Sequence, residues 1–191
     1  MSAESANNMN AKPNRPFEVV EYDANWIKEF EKRREKLKEI LGDDIVDIQH
    51  VGSTAILGMI AKPQIDILIV VENLDTIRSK YDEMRASGFE PRGDYAAIGE
   101  EYFTEDTEQG VRLASIHILP QGHPEIAATI NFRDYPSTHQ EDRDLYGATK
   151  KELFIRHADN YLAYGREKSS LIETIRERAN QWARQLLDAN D

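Results

Sequence analysis

The chain has 191 residues, with 35 acidic against 24 basic side chains, a formal net charge of −11, and no cysteine. That length makes one ordinary domain with enough chain to bury a core, and the acidic excess argues against long DNA or RNA as a partner because it repels a phosphate backbone. Without cysteine, disulfides, thiolate metal sites and thiol nucleophiles are excluded, which fits a reducing, cytoplasmic setting.

Residues 1–16 hold no apolar run of the kind a signal peptide needs, and no later stretch reaches the length of a membrane span. The expectation is a disordered tail followed by a single domain over residues 17–191. After a short extended run at 17–22, Trp26, Phe30, Leu37, Ile40 and Leu41 recur at helical spacing up to Gly42, which predicts an amphipathic helix packed on a sheet. Residues 43–51 form the first strand, 53–60 start a short helix after a Gly-Ser turn, and 64–71 form the second strand. Leu74, Ile77, Tyr81 and Met84 share one face of a helix over 73–87 that Gly88 stops. Residues 89–119 read as further strands with turns at 92–94 and 108–110. From Glu125 onward the pattern is helical, over 125–134, 139–157 and 159–188. The fold class is therefore α+β: a mixed sheet flanked by helices over about 17–122, and a helical portion over 123–191 that walls a cleft beside the sheet.

The chemistry concentrates between His50 and Val71. Gly52 and Ser53 end an extended run, so the backbone turns sharply and leaves N–H groups beside a hydroxyl, a concavity suited to anionic oxygens. Asp66 then lies inside the apolar run Ile65-Asp-Ile-Leu-Ile-Val-Val71, where a charge is costly unless a cation or a Lys or Arg pairs with it. Alternation puts Gln64, Asp66, Leu68 and Val70 on one face of that strand and Ile65, Ile67, Ile69 and Val71 on the other, which is core.

Together, His50-Val-Gly-Ser-Thr-Ala55, Gly58, Ala61-Lys-Pro-Gln-Ile-Asp-Ile-Leu68, Asn131-Phe-Arg-Asp-Tyr135, Tyr164 and Lys168 resemble the GrpB family, a branch of the nucleotidyltransferase superfamily with the polymerase-beta-like fold. The similarity runs from about residue 19 to about residue 187. It implies a nucleotidyltransferase-like sheet, phosphates held by Gly52 and Ser53, and Asp66 as the catalytic and metal-binding acid, with Mg²⁺ or Mn²⁺ as its ion. In active members a second carboxylate follows two residues later on the same face, and here that position is Leu68. A third acid is expected on a later strand, where residues 111–119 offer His117, a ligand suited to Zn²⁺ or Mn²⁺ more than to Mg²⁺.

The residues themselves admit two roles at each site. Ser53 either contacts phosphate or caps a helix; Asp66 serves a ligand or a salt bridge to Lys62 or an arginine. Lys62 either reaches back to a phosphate or is solvated, and Arg133 binds an anion bidentately or pairs with Asp134 or Glu125. His50 and His117 flank the proposed site, as contacts or as core histidines. Tyr161, Tyr164, Arg166 and Lys168 line a nucleotide pocket or pack on the sheet. His123, His139 and His157 read as surface residues. The leading expectation is a protein that binds a nucleotide or another phosphorylated small molecule and transfers a nucleotidyl group with a divalent metal, with no membrane partner. The alternative is a non-catalytic binding or interaction module with a degenerate active site, which Leu68 favours.

Overall fold

The structure, a computed structural model, describes residues 16–94 and 99–189. The expected disordered tail therefore lies, but for Pro16, outside the described residues. Helix α1 (Asn25–Leu41) ends at Gly42 and leads through a 3-10 turn into β1 (Ile45–Val51), followed after a loop by β2 (Ile65–Val71). Helices α2 (Leu74–Ser79) and α3 (Tyr81–Ala86) precede strands β3 (Glu90–Gly93), β4 (Glu101–Asp106) and β5 (Arg112–Pro120). Helices α4 (Pro124–Thr138), α5 (Gln140–Arg156) and α6 (Tyr161–Asp188) complete the chain. None of the described helices is long and apolar enough to cross a membrane.

The five strands form one mixed sheet in the order β1-β2-β5-β4-β3, with β2 and β5 parallel and the other pairs antiparallel. Alternation along β2 sorts the layers. Ile65, Ile67, Ile69 and Val71 join Trp26, Phe30, Leu37 and Leu41 of α1, Ile77, Met84 and Phe103 in the main core. On the opposite face Leu68 meets Val51 and Leu119, covered by Ile126 and Ile130 of α4. Asp66 is the one residue of β2 that is not fully buried.

Three expectations differ from what forms. Residues 53–60 make only a 3-10 turn, Ser53–Ala55, so Ser53 caps no helix and its side chain makes no capping bond. Glycines at positive φ bracket that segment, Gly52 at 70° and Gly58 at 76°. The buried Ile56 and Met59 instead anchor it to Tyr135, Tyr146, Ile175 and Ala179 of the C-terminal helices. The helix expected over 73–87 is broken at Lys80 into α2 and α3; just before the break the Ser79 hydroxyl bonds the Thr76 carbonyl at 2.6 Å, a local bond that competes with helical pairing. The run at 17–22 contributes a single bridge, Val20 to Ala61, rather than a strand.

Candidate phosphate site

Gly52 leaves β1 with φ 70° and ψ −168°, a conformation reserved for glycine. It needs glycine for a second reason as well. A Cβ there would run into the Asp66 carboxylate, 3.0 Å from both its Cβ and its Cγ. Val51 pairs with Asp66 in the β1–β2 ladder, so the turn and the acid are neighbours by register.

A polar chain fixes the Asp66 side chain. Gln64 Nε2 donates to Asp66 Oδ1 at 2.9 Å and to Ser115 Oγ at 3.0 Å. Ser115 also bonds the Tyr102 hydroxyl at 2.9 Å, which accepts from Arg112 at 2.8 Å. Among the described residues no ion pair forms on Asp66, so the salt bridge weighed for it is absent there. Its parallel-strand neighbour is Ser115, and the neighbour of Leu68 is His117. His117 Nδ1 lies 3.3 Å from Glu100 Oε2, and its ring rests 4.9 Å from that of Tyr102.

A cavity of about 190 Å³ opens between this end of the sheet and the C-terminal helices, lined by Ser53, Thr54, Ala61, Lys62, Gln64, Asp66, Lys150, Tyr164 and Lys168. Lys62 Nζ lies 3.3 Å from the Tyr161 hydroxyl and 4.4 Å from that ring's centroid. Lys168 Nζ is 5.3 Å from the Tyr164 centroid, as expected for residues four apart on α6. Lys150 enters from α5, its Nζ donating to the Ile60 carbonyl at 2.7 Å and lying 4.1 Å over the Tyr146 ring. Burial, and then the charges of Lys168 and Lys62, push the Lys150 pKa well below the usual lysine value, against a smaller opposing effect of Asp66. Burial also works against the Lys168 ammonium, yet the neighbouring tyrosines and Asp66 outweigh it and the pKa is raised. Burial raises the Tyr164 hydroxyl to about 12.

Gly52, Ser53, Asp66, Lys62 and Lys168 thus converge, Gly52 through its contact with Asp66. Arg133 stands apart from them. Its guanidinium pairs with Asp134 at 2.6 Å and donates to Gln49 Oε1 at 2.8 Å and to the His50 carbonyl at 3.1 Å. His50 does not flank the site with its ring, because its register opposite Ile67 turns the imidazole to the core face, stacked 4.9 Å from Phe30. The Thr54 hydroxyl donates to the Gln64 carbonyl at 3.3 Å and so accepts from His50 Nε2 at 3.0 Å, which assigns the ring proton to Nε2. Arg166 is exposed. His123, His139 and His157 are half-buried rather than on the surface; His123 caps α4 and His157 pairs with Glu167 at 2.8 Å.

Sequence reasoning missed Lys150, although a signal exists. Asp142, Tyr146, Lys150 and Leu153 form the buried stripe of α5, and a lysine in such a stripe needs a reason to be there.

The donor set does not match a two-ion centre. Among the described residues no three His, Asp or Glu side chains converge as metal ligands. Leu68 holds the position of the second carboxylate, and on β5 the neighbours are Ser115 beside Asp66 and His117 beside Leu68, neither of them an acid.

The family model described as GrpB protein matches residues 16–178. The chain belongs to the GrpB family. It is 34% identical over 178 residues to the UPF0157 protein YqkA of Bacillus subtilis, covering 93% of this chain but only 51% of YqkA, so it spans about half the length of that relative. A crystal structure of the conserved protein GrpB from Enterococcus faecalis superposes with a TM-score of 0.82 at 29% identity, covering 87% of this chain and 99% of that one. Beyond the family, the Cid1 poly(U) polymerase bound to MgATP aligns with a TM-score of 0.50 at 18% identity, over 72% of this chain and 45% of Cid1. That likeness establishes a nucleotidyltransferase-like fold.

Proposed function

We propose that this GrpB protein binds the phosphoryl group of a nucleotide or other phosphorylated small molecule in the lysine-walled cavity, in the cytoplasm and without need of turnover. The observation that carries the reading is the convergence of Lys62, Lys150 and Lys168 on one small cavity beside the Gly52-Ser53 turn. The Lys62 and Lys168 ammoniums repel each other until an anion sits between them, and charge-assisted bonds to phosphate oxygens are about twice as strong as neutral ones.

A cavity of about 190 Å³ is smaller than the roughly 300–1,000 Å³ of sites that enclose a whole drug-sized ligand. It suits a phosphoryl moiety, with the rest of the ligand extending next door. A cavity of about 250 Å³ shares Lys62 and Gln64 and is lined mainly by apolar groups of Phe17, Pro63 and Val111, with Arg112 at its side. Asp66 fixes Gln64 and borders the phosphoryl seat, and no transfer step is assigned to it.

A thermal-shift series with ATP, inorganic pyrophosphate and sugar phosphates, each with and without Mg²⁺ or Mn²⁺, tests the reading. A ligand at 100 times its Kd stabilises by about 2.7 kcal/mol, a rise of several degrees for a chain of this size. Lys62→Met and Lys168→Met are expected to abolish that rise. No shift with any phosphorylated compound on a folded protein overturns the reading.

A further inference from the structure

Lys150 has properties that holding a phosphate does not require. Its side chain is 1% exposed, on the buried stripe of α5, and among the described residues no carboxylate forms an ion pair with it. Its Nζ is held in place by the Ile60 carbonyl and the Tyr146 ring while still bordering the cavity. Lys62 and Lys168 line the same cavity, each over a tyrosine ring. Burial and those two charges favour the free amine of Lys150 over its ammonium form.

We propose that Lys150 is a nucleophilic amine that captures phosphorylated aldehydes or ketones as an imine, with Lys62 and Lys168 seating the phosphoryl group. The proposal rests on the phosphoryl-binding reading above. In the step, the Nζ lone pair attacks the carbonyl carbon and the N–C bond forms. A proton moves from nitrogen to the alkoxide oxygen, giving a carbinolamine. The hydroxyl then takes a further proton, for which the Lys168 ammonium in the same cavity is the source, and leaves as water while the C=N bond forms. Loss of the remaining N–H proton restores Lys168. Amine and carbonyl are consumed, imine and water are formed, and no oxidant is needed.

The test uses pyridoxal 5′-phosphate on the full chain, followed by borohydride reduction and peptide mapping. The expected result is labelling of Lys150 at least tenfold above the surface lysines at low reagent, suppressed by inorganic pyrophosphate. Pyridoxal, which lacks the phosphate, is expected to show no such preference. Lys150→Arg keeps a long hydrogen-bond donor and cannot form the imine, so it should lose the preferential label while retaining the cooperative melt. Uniform labelling, labelling led by Lys62 or Lys168, or equal preference with pyridoxal overturns the proposal. If pyrophosphate raises the melting temperature and Lys150 stays unlabelled, the amine fails and the phosphoryl seat stands. If no phosphorylated compound raises the melting temperature and Lys150 stays unlabelled, both fail. Mapping is done on the wild-type protein, so the outcome does not depend on whether the variant folds.

Discussion

At the scale of single residues, His50 shows how one side chain is committed by its surroundings. Burial lowers its pKa from 6.5 to about 4, with Asp66 opposing the fall and Arg133 adding to it. The unfolded chain takes up a proton near pH 6.5 and the folded chain only near pH 4, so stability is lost as pH falls through that window. At 1.36 kcal/mol per pKa unit the loss is at most about 3 kcal/mol, and less after solvent screening of a ring that is not fully enclosed. In His50→Gln, urea midpoints at pH 7 and pH 4.5 should differ by less than in the wild type. An equal or larger difference would place the acid sensitivity elsewhere. Asp66 and its partners were partly legible from sequence, since an acid in an apolar strand demands polar company. Alternation already placed Gln64 on the face of Asp66, but that Ser115 would hold Gln64 there depended on the β2–β5 register, which no local pattern encodes.

Among the elements, the β1 turn and β2 are fitted to each other so closely that glycine is required between them. Gly52 and Gly58 have similar positive φ, 70° and 76°, but only Gly52 has a neighbour where its Cβ would go. Gly58→Ala should therefore cost about 1–2 kcal/mol for its backbone alone. Gly52→Ala should cost clearly more and also weaken any phosphoryl ligand, because Asp66 and the turn must move apart. Equal costs in denaturant titrations would deny the contact. Leu68 tests the other half of β2: it is 1% exposed and packed with Val51 and Leu119, so Leu68→Asp should destabilise by more than about 4 kcal/mol. A variant that melts normally would mean that this face opens to solvent. Helix α1 and strand β2 were readable because each buries one regular face, Trp26, Phe30, Leu37 and Leu41 on the first and Ile65, Ile67, Ile69 and Val71 on the second. Residues 53–60 misled, since Ile56 and Met59 are anchored by helices far along the chain rather than by a local helical period. Lys150 was overlooked for a related reason: its neighbours in sequence include the exposed Lys151, and only packing separates the two.

For the whole molecule, the charge is distributed against its own average. The chain carries a net −11, yet three lysines line one cavity. Under the proposed function a long polyanion would meet the average charge and a small one the cavity, because fields between exposed charges fade over about 8 Å at physiological salt. A fluorescent 20-base-pair duplex at 0.15 M salt should thus show no binding under conditions where pyrophosphate stabilises the protein. Tight, salt-sensitive duplex binding would contradict this picture.

His50 also works as a rivet. Its ring lies against Phe30 of α1 on one side of the sheet, and its carbonyl is gripped by Arg133 of α4 on the other. Two positions later the chain reaches Gly52, pressed against Asp66. One residue thus ties α1, the sheet and α4 together immediately upstream of the Gly52 turn, so on the proposed reading the position of α4 and the shape of the phosphoryl seat are linked through His50.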